Sequence, residues 1–312
     1  MYATLIVVAA LWGGATGLLL PRAVYRLSVE PDQAWRDSCP AGHSITGPLG
    51  GWVGGTRCAD CAAGVPAVPA RTANSPEAAT TATTAPAAPA ATTAADPGPA
   101  ADPGPAADPG PDTDPGPGAG AGASRDAQLP VPYAASVLIP LLTALACAAL
   151  AAATGPRPEL AVWLLLTPFS VLLALVDRHV HRLPDQLTLP LAVAAAVLLG
   201  VAALLPAAGG SWPPALLGGV ALGACYFLLF VINPNGMGFG DVKLALSLGV
   251  GLGWYGWPVL FVGAFAGFLL GALYGLGLIL LRRAGRKSAI PFGPFMITGA
   301  LIGILLGGLG AA

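Results

Sequence analysis

Residues 159–182 read ELAVWLLLTPFSVLLALVDRHVHR. No charge lies between Glu159 and Asp177, and the run then closes on Asp177, Arg178, His179, His181 and Arg182. An uncharged stretch of this length suits a helix crossing the roughly 30 Å hydrocarbon core, where each backbone N–H and C=O must be bonded within its own segment. The basic cluster at its end marks one membrane face. Further apolar runs recur at 133–153, 187–206, 214–232, 243–254, 257–281 and 291–310, and Thr4–Leu20 adds one at the N-terminus. Eight candidate spans predict an all-α polytopic membrane protein. The run at 243–254 is short of the roughly 20 residues a span needs, and is expected to be a short, water-lined or partly inserted helix.

Composition points the same way. Of the 312 residues, 55% are hydrophobic and 9% are charged, against roughly 25% charged in a soluble domain. Mean hydropathy is +0.73. A net charge of −1 leaves no surplus of cations to neutralise phosphates, so nucleic acid is excluded as a partner and a lipid bilayer is implied. Arg22 and Arg26 follow the first apolar run instead of preceding it, so the run reads as a retained span with its N-terminus outside, not as a cleaved signal. Eight spans then put 21–132, 177–186, 233–242 and 282–290 inside. Thirteen of the fourteen Lys and Arg residues lie on or at the edge of that inner side, with Arg157 alone outside.

The chain divides accordingly. Residues 1–20 form the first transmembrane helix, and 21–61 form a small cytoplasmic loop domain holding Cys39, His43, Cys58 and Cys61. Residues 62–128 are an Ala/Pro/Thr/Asp-rich insert, including the ADPGPA repeats of 95–111. So few large apolar side chains predict disorder there. Residues 129–312 form the membrane-embedded domain.

That last domain holds four acidic residues: Glu159, Asp177, Asp185 and Asp241. Asp177 closes the third span, and Asp241 opens the short sixth segment in GMGFGDVKLALSLG, residues 236–249. Both sit where an apolar helix meets the inner interface, so a bundle can bring the two carboxylates to one depth. Two close carboxylates share a proton, which is the arrangement an aspartic protease uses. The glycines at 236, 238 and 240 are expected to allow close backbone approach and conformations closed to other residues. Asp185 reads as the N-cap of the fourth span. Cys147 and Cys225 read as packing residues, His179 and His181 as solvated interfacial residues, and Trp254, Tyr255 and Trp257 as interfacial anchors.

Asp177 with Pro184 seven residues on, GxGD at 238–241 followed by Val-Lys-Leu, and KSAIPFGPFMITGA at 287–300 together resemble the prepilin peptidases, the type IV leader peptidase family of intramembrane aspartyl proteases. The resemblance covers about residues 133–310. It implies that Asp177 and Asp241 are the catalytic pair, with Gly238, Gly240 and Lys243 supporting the motif. It implies a reaction at the cytoplasmic face of the cell membrane, removing a short leader from type IV pilin-like or pseudopilin precursors, with no cofactor required for proteolysis. Many members also N-methylate the new N-terminus with S-adenosylmethionine, although this sequence shows no nucleotide-type cofactor site.

The loop domain resembles the family's zinc-type domain, which carries two Cys-x-x-Cys pairs. Cys58 and Cys61 form one pair, while SCPAGHSI, residues 38–45, lacks the second Cys of the other. Two readings stand: a Cys3His zinc set of Cys39, His43, Cys58 and Cys61, or a decayed site without metal. For the whole chain the rivals are a transporter or channel using Asp177 and Asp241 as a cation or proton site, an inactive pilus or secretion assembly factor, and a presenilin-like protease.

Overall fold

The computed structural model describes residues 2–29, 33–56, 58–67, 137–234, 236–281 and 291–311. Almost all of the expected insert, the start of the 133–153 run, and Lys287 to Ile290 of the last motif lie outside the described residues. Among those described, every regular element is helical: α1 (Tyr2–Leu27), the single turns α2 (Pro48–Gly51) and α3 (Ala59–Ala62), then α4 (Leu138–Thr154), α5 (Pro158–Val180), α6 (Asp185–Ala203), α7 (Trp212–Ile232), α8 (Phe239–Gly253), α9 (Trp257–Leu280) and α10 (Gly293–Gly310). The protein is an all-α, polytopic membrane protein. Each expected apolar run is a helix. Six helices (α1, α5, α6, α7, α9 and α10) are long and apolar enough to cross a membrane, while α4 is shorter.

Lipid-facing helices cannot gain much by burying apolar side chains against one another, since the tails outside are equally apolar; close backbone packing takes that place. Three helix pairs are seamed by glycine. In α1 against α4, a Cβ on Gly17 would lie 2.5 Å from Pro140 Cα. In α7 against α8, one on Gly249 would lie 2.5 Å from the Gly218 carbonyl oxygen. In α9 against α10, one on Gly299 would lie 2.5 Å from the Gly263 carbonyl oxygen. Gly299→Val is therefore expected to destabilise the chain by about 1–3 kcal/mol through overpacking. Thermal unfolding in detergent checks it, with Gly277→Ala, whose Cβ would meet nothing within 4 Å, as the unaffected control.

α8 is the centre of the bundle. It packs against α6, α7, α9 and α10, and ten of its residues, from Asp241 to Gly253, are buried. At fifteen residues it is about 22 Å long, shorter than a span, as its sequence predicts.

Three expectations change at this level. Trp254 is 1% exposed, the largest fully buried side chain, because Gly210 lies over its indole; it is a core residue, not an interfacial anchor. Trp257 is exposed as an anchor should be. Cys147 is buried against Gly13, but Cys225 is exposed on α7 and fills no protein gap.

Arg22 and Arg26 hold the N-terminal loop domain to α1. Arg22 donates to the carbonyls of Gly55 (2.8 Å) and Thr46 (2.9 Å). Arg26 donates to Gly50 at 2.7 Å and lies 4.1 Å over the Trp52 ring, which meets Trp35 edge-on at 5.0 Å. Both arginines thus dock the loop segment onto α1.

Candidate active site

Three helix ends converge. α5 stops because His181 takes the left-handed conformation (φ 51) and donates its N–H to the Asp177 carbonyl. Asp177 is thereby placed in the last turn, buried at 4% exposure. α8 starts after Gly238, and the Asp241 N–H donates to the Gly238 carbonyl at 3.0 Å, placing Asp241 in the first turn, also buried. α10 starts at Gly293. Its N–H has no partner within the helix, as is usual for a first-turn residue, and donates to Asp177 Oδ2 at 2.9 Å. Asp177 and Asp241 lie within electrostatic reach of each other, and His181 acts on Asp177 in the same way.

The segment between α5 and α6 locks onto the start of α8. Buried Leu183 sits where a Cβ on Gly240 would be, 3.0 Å from the Leu183 Cβ. Gly240 therefore serves close approach. Neither it nor Gly236 nor Gly238 has a positive φ, and Gly238 sits at φ −73, ψ 143. The expected special conformations are absent because α8 begins from ordinary extended backbone. A second tie is the 2.6 Å ion pair from Lys243 to Asp185. Asp185 is the first residue of α6 and makes no capping bond, with Pro184 at the cap position. Its carboxylate turns to Lys243 instead, which corrects the N-cap expectation. His181 is exposed; His179 is half-buried and donates from Nδ1 to the Leu175 carbonyl at 2.6 Å.

Sequence reasoning passed over Gly293 and Tyr226. Gly293 acts through a backbone N–H, which carries no side-chain signature. Tyr226, 1% exposed, stacks on Phe268 at 5.3 Å and meets Phe292 at 6.3 Å, and lies within electrostatic reach of Asp241. These rings form an apolar wall behind the carboxylates. Deeper in the bundle, a cavity of about 100 Å³ is lined by Ser170 of α5, Leu191 of α6, Ser247 of α8 and Ile297 of α10.

The loop domain brings its four candidate ligands together: one ligand atom each from Cys39, His43, Cys58 and Cys61, all within 4.8 Å of one another. Gly42, at φ +83, allows the tight turn in which Cys39 N–H donates to the His43 carbonyl at 2.8 Å. His43 Nδ1 lies 3.2 Å from Cys61 Sγ, 3.7 Å from Cys39 Sγ and 3.9 Å from Cys58 Sγ. Cys39 and Cys61 Sγ are 3.7 Å apart, close to the about 3.8 Å edge of a tetrahedron with 2.3 Å metal–sulfur bonds. His43 Nε2–H donates to the Pro66 carbonyl at 2.9 Å, which leaves the Nδ1 lone pair facing the sulfurs. Burial pushes the Cys39 thiol up, but the Ala41 and His43 backbone N–H groups and the neighbouring thiols outweigh it and hold Cys39 below its usual range. Loss of hydration, then the adjacent sulfurs, push Cys61 up to about 11. The cluster could hold a metal ion.

Residues 164–276 match the type IV leader peptidase family. The chain is 36% identical over 187 residues to a protein of Aeromonas hydrophila named prepilin leader peptidase/N-methyltransferase, covering 60% of this chain and 63% of that relative. Proteins of the same name from Pseudomonas aeruginosa and Bacillus subtilis are 34% identical over 175 residues and 28% identical over 170. The former match covers 54% of this chain and 58% of the relative, the latter 54% and 64%. The chain thus spans about three fifths of the length of the relatives it matches. No solved structure matches.

Proposed function

We propose that the chain is an intramembrane aspartyl endopeptidase removing the leader from type IV pilin-like or pseudopilin precursors at the cytoplasmic face of the cell membrane, a reading supported by the match of residues 164–276 to the type IV leader peptidase family. The observation that carries this is the convergence of Asp177, Asp241 and the Gly293 N–H at three buried helix ends. A transport site belongs near the bilayer midplane on discontinuous helices, whereas both carboxylates stand at helix ends.

The geometry divides the labour. Asp177 accepts the Gly293 N–H at the start of α10, which fixes its carboxylate in the site. Asp177, as a carboxylate, is assigned the role of base: it takes a proton from the attacking water as the water oxygen bonds to the scissile carbonyl carbon. Asp241, sharing the site with that charge, holds the dyad's proton and gives it to the carbonyl oxygen. On collapse of the tetrahedral species, the proton taken by Asp177 passes to the leaving nitrogen while a hydroxyl of the gem-diol returns its proton to Asp241 as the C=O re-forms. Tyr226, Phe268 and Phe292 keep bulk water from the back of the pair. The precursor's own apolar helix lies along the bundle, leaving its leader junction at the carboxylates. The decisive test is cleavage of a co-expressed precursor by variants of the pair, developed in the Discussion.

The loop domain is proposed to hold zinc through Cys39, His43, Cys58 and Cys61, where the metal would fix the fold of the domain docked on α1. Elemental analysis of the purified chain is expected to find about one zinc per chain, falling to near zero in Cys58→Ser. Less than about a tenth of an equivalent in the native chain would remove this reading. N-methylation of the new N-terminus is proposed from the names of the relatives. In that reaction S-adenosylmethionine supplies an activated methyl group.

A further inference from the structure

A second cavity, of about 270 Å³, opens between the segment after α1 and the α5–α6 connection; Gln33, Trp35, Val180, Arg182, Asp185 and Gln186 line it. We propose that it is the binding site for the methyl donor, S-adenosylmethionine, which rests on reading the chain as a leader peptidase that also methylates.

Position is the first argument. The atom to be methylated is the nitrogen freed when the scissile bond breaks, so the donor must lie beside the carboxylate pair. Val180, Arg182 and Asp185 follow directly from Asp177 in the chain, and Asp185 is ion-paired to Lys243, two residues beyond Asp241. One wall of the cavity is thus the chain that follows Asp177, and the Asp185–Lys243 pair ties that wall to the helix bearing Asp241. The amine nitrogen can take the methyl carbon while the C–S electron pair stays on sulfur and the amine's extra proton leaves to solvent.

Chemistry is the second argument. The donor carries an α-carboxylate, a sulfonium, a ribose diol and an adenine. Arg182 offers the guanidinium fork that a carboxylate fits. Asp185 offers an acceptor for ribose hydroxyls and a charge opposite to the sulfonium, and 62% exposure leaves part of its carboxylate accessible beside Lys243. Trp35 supplies an indole for the adenine, held in place by its edge contact with Trp52. Gln33 and Gln186 bring amides of the kind that read a purine edge. The size approaches the roughly 300–1,000 Å³ of small-ligand sites. No contiguous sequence motif reveals this site, because its two walls lie about 150 residues apart in the chain.

Calorimetry on the full purified chain in detergent, with S-adenosylhomocysteine as the probe, tests the proposal without relying on turnover. One saturable site per chain is expected, weakened at least about tenfold by Trp35→Ala and by Arg182→Gln. Arg178→Gln, in the last turn of α5 and outside the cavity, is expected to bind within about twofold of native. Excess synthetic leader peptide should leave the affinity unchanged. Photolabelling with S-adenosylmethionine should mark the fragment bearing Trp35, a readout that does not depend on how well a variant folds. No saturable binding by the native chain, equal binding by all variants, label elsewhere, or displacement by leader peptide would each overturn the assignment. Asp177→Asn separates the two readings: lost cleavage with retained binding supports both. A native chain that cleaves precursor but binds no S-adenosylhomocysteine sinks this inference alone, and one that binds but never cleaves sinks the peptidase reading alone.

Discussion

Asp177→Ala and Asp241→Ala are each expected to abolish cleavage of a co-expressed pilin-like precursor, a loss of about 10²–10⁴-fold or more. Neither carboxylate can stand in for the other. Only Asp177 receives the Gly293 N–H, and only Asp241 sits in the first turn of α8 beside Tyr226. The double variant should be little worse than either single one, since groups that act as a unit lose their whole contribution with the first removal. Mass spectrometry of membranes holding matched amounts of each variant makes the measurement. Cleavage retained in both single variants would refute the catalytic assignment.

Gly293→Ala is the second large effect, and it touches neither carboxylate's identity. A Cβ at Gly293 would lie 2.7 Å from Asp177 Oδ2 and 3.1 Å from its Cγ, so the Asp177 side chain must move. A displacement near 1 Å at a reacting group costs on the order of 10²-fold in rate. The loss is expected in kcat, with thermal stability near native, because a single side chain can swing aside. Gly310→Ala on the same helix, with open space around its Cβ, should behave as native. Native cleavage by Gly293→Ala would mean that the bond from α10 does not position Asp177.

Much of this was legible beforehand, for reasons that can be stated. Charge is so scarce in the membrane domain that Asp177 and Asp241 stand out against apolar neighbours, and the apolar runs map onto helices because the bilayer permits few alternatives. The Cys39, His43, Cys58 and Cys61 set followed from the family resemblance of the loop domain, beside the alternative of a decayed site. Features that depend on one element meeting another were not legible. Asp185 looks like a cap until Lys243 arrives from α8 to claim it. Trp254 looks like an anchor until the chain at Gly210 folds over it. Gly240 was noticed for two freedoms and uses one: it gives room for the close approach of Leu183 and has no special φ. Gly293 was within a quoted motif, yet its donor is a main-chain atom common to nearly every residue.

Because neighbouring helices encase α8, the depth of Asp241 is referenced to protein and not to lipid. In the proposed reaction, a precursor helix free in the bilayer would rise or sink as the membrane thins or thickens, while the cutting point would not follow it. The bundle would then work as a fixed gauge: the register of the cut would be set by how far a precursor can descend against a helix of which only Phe239 is exposed.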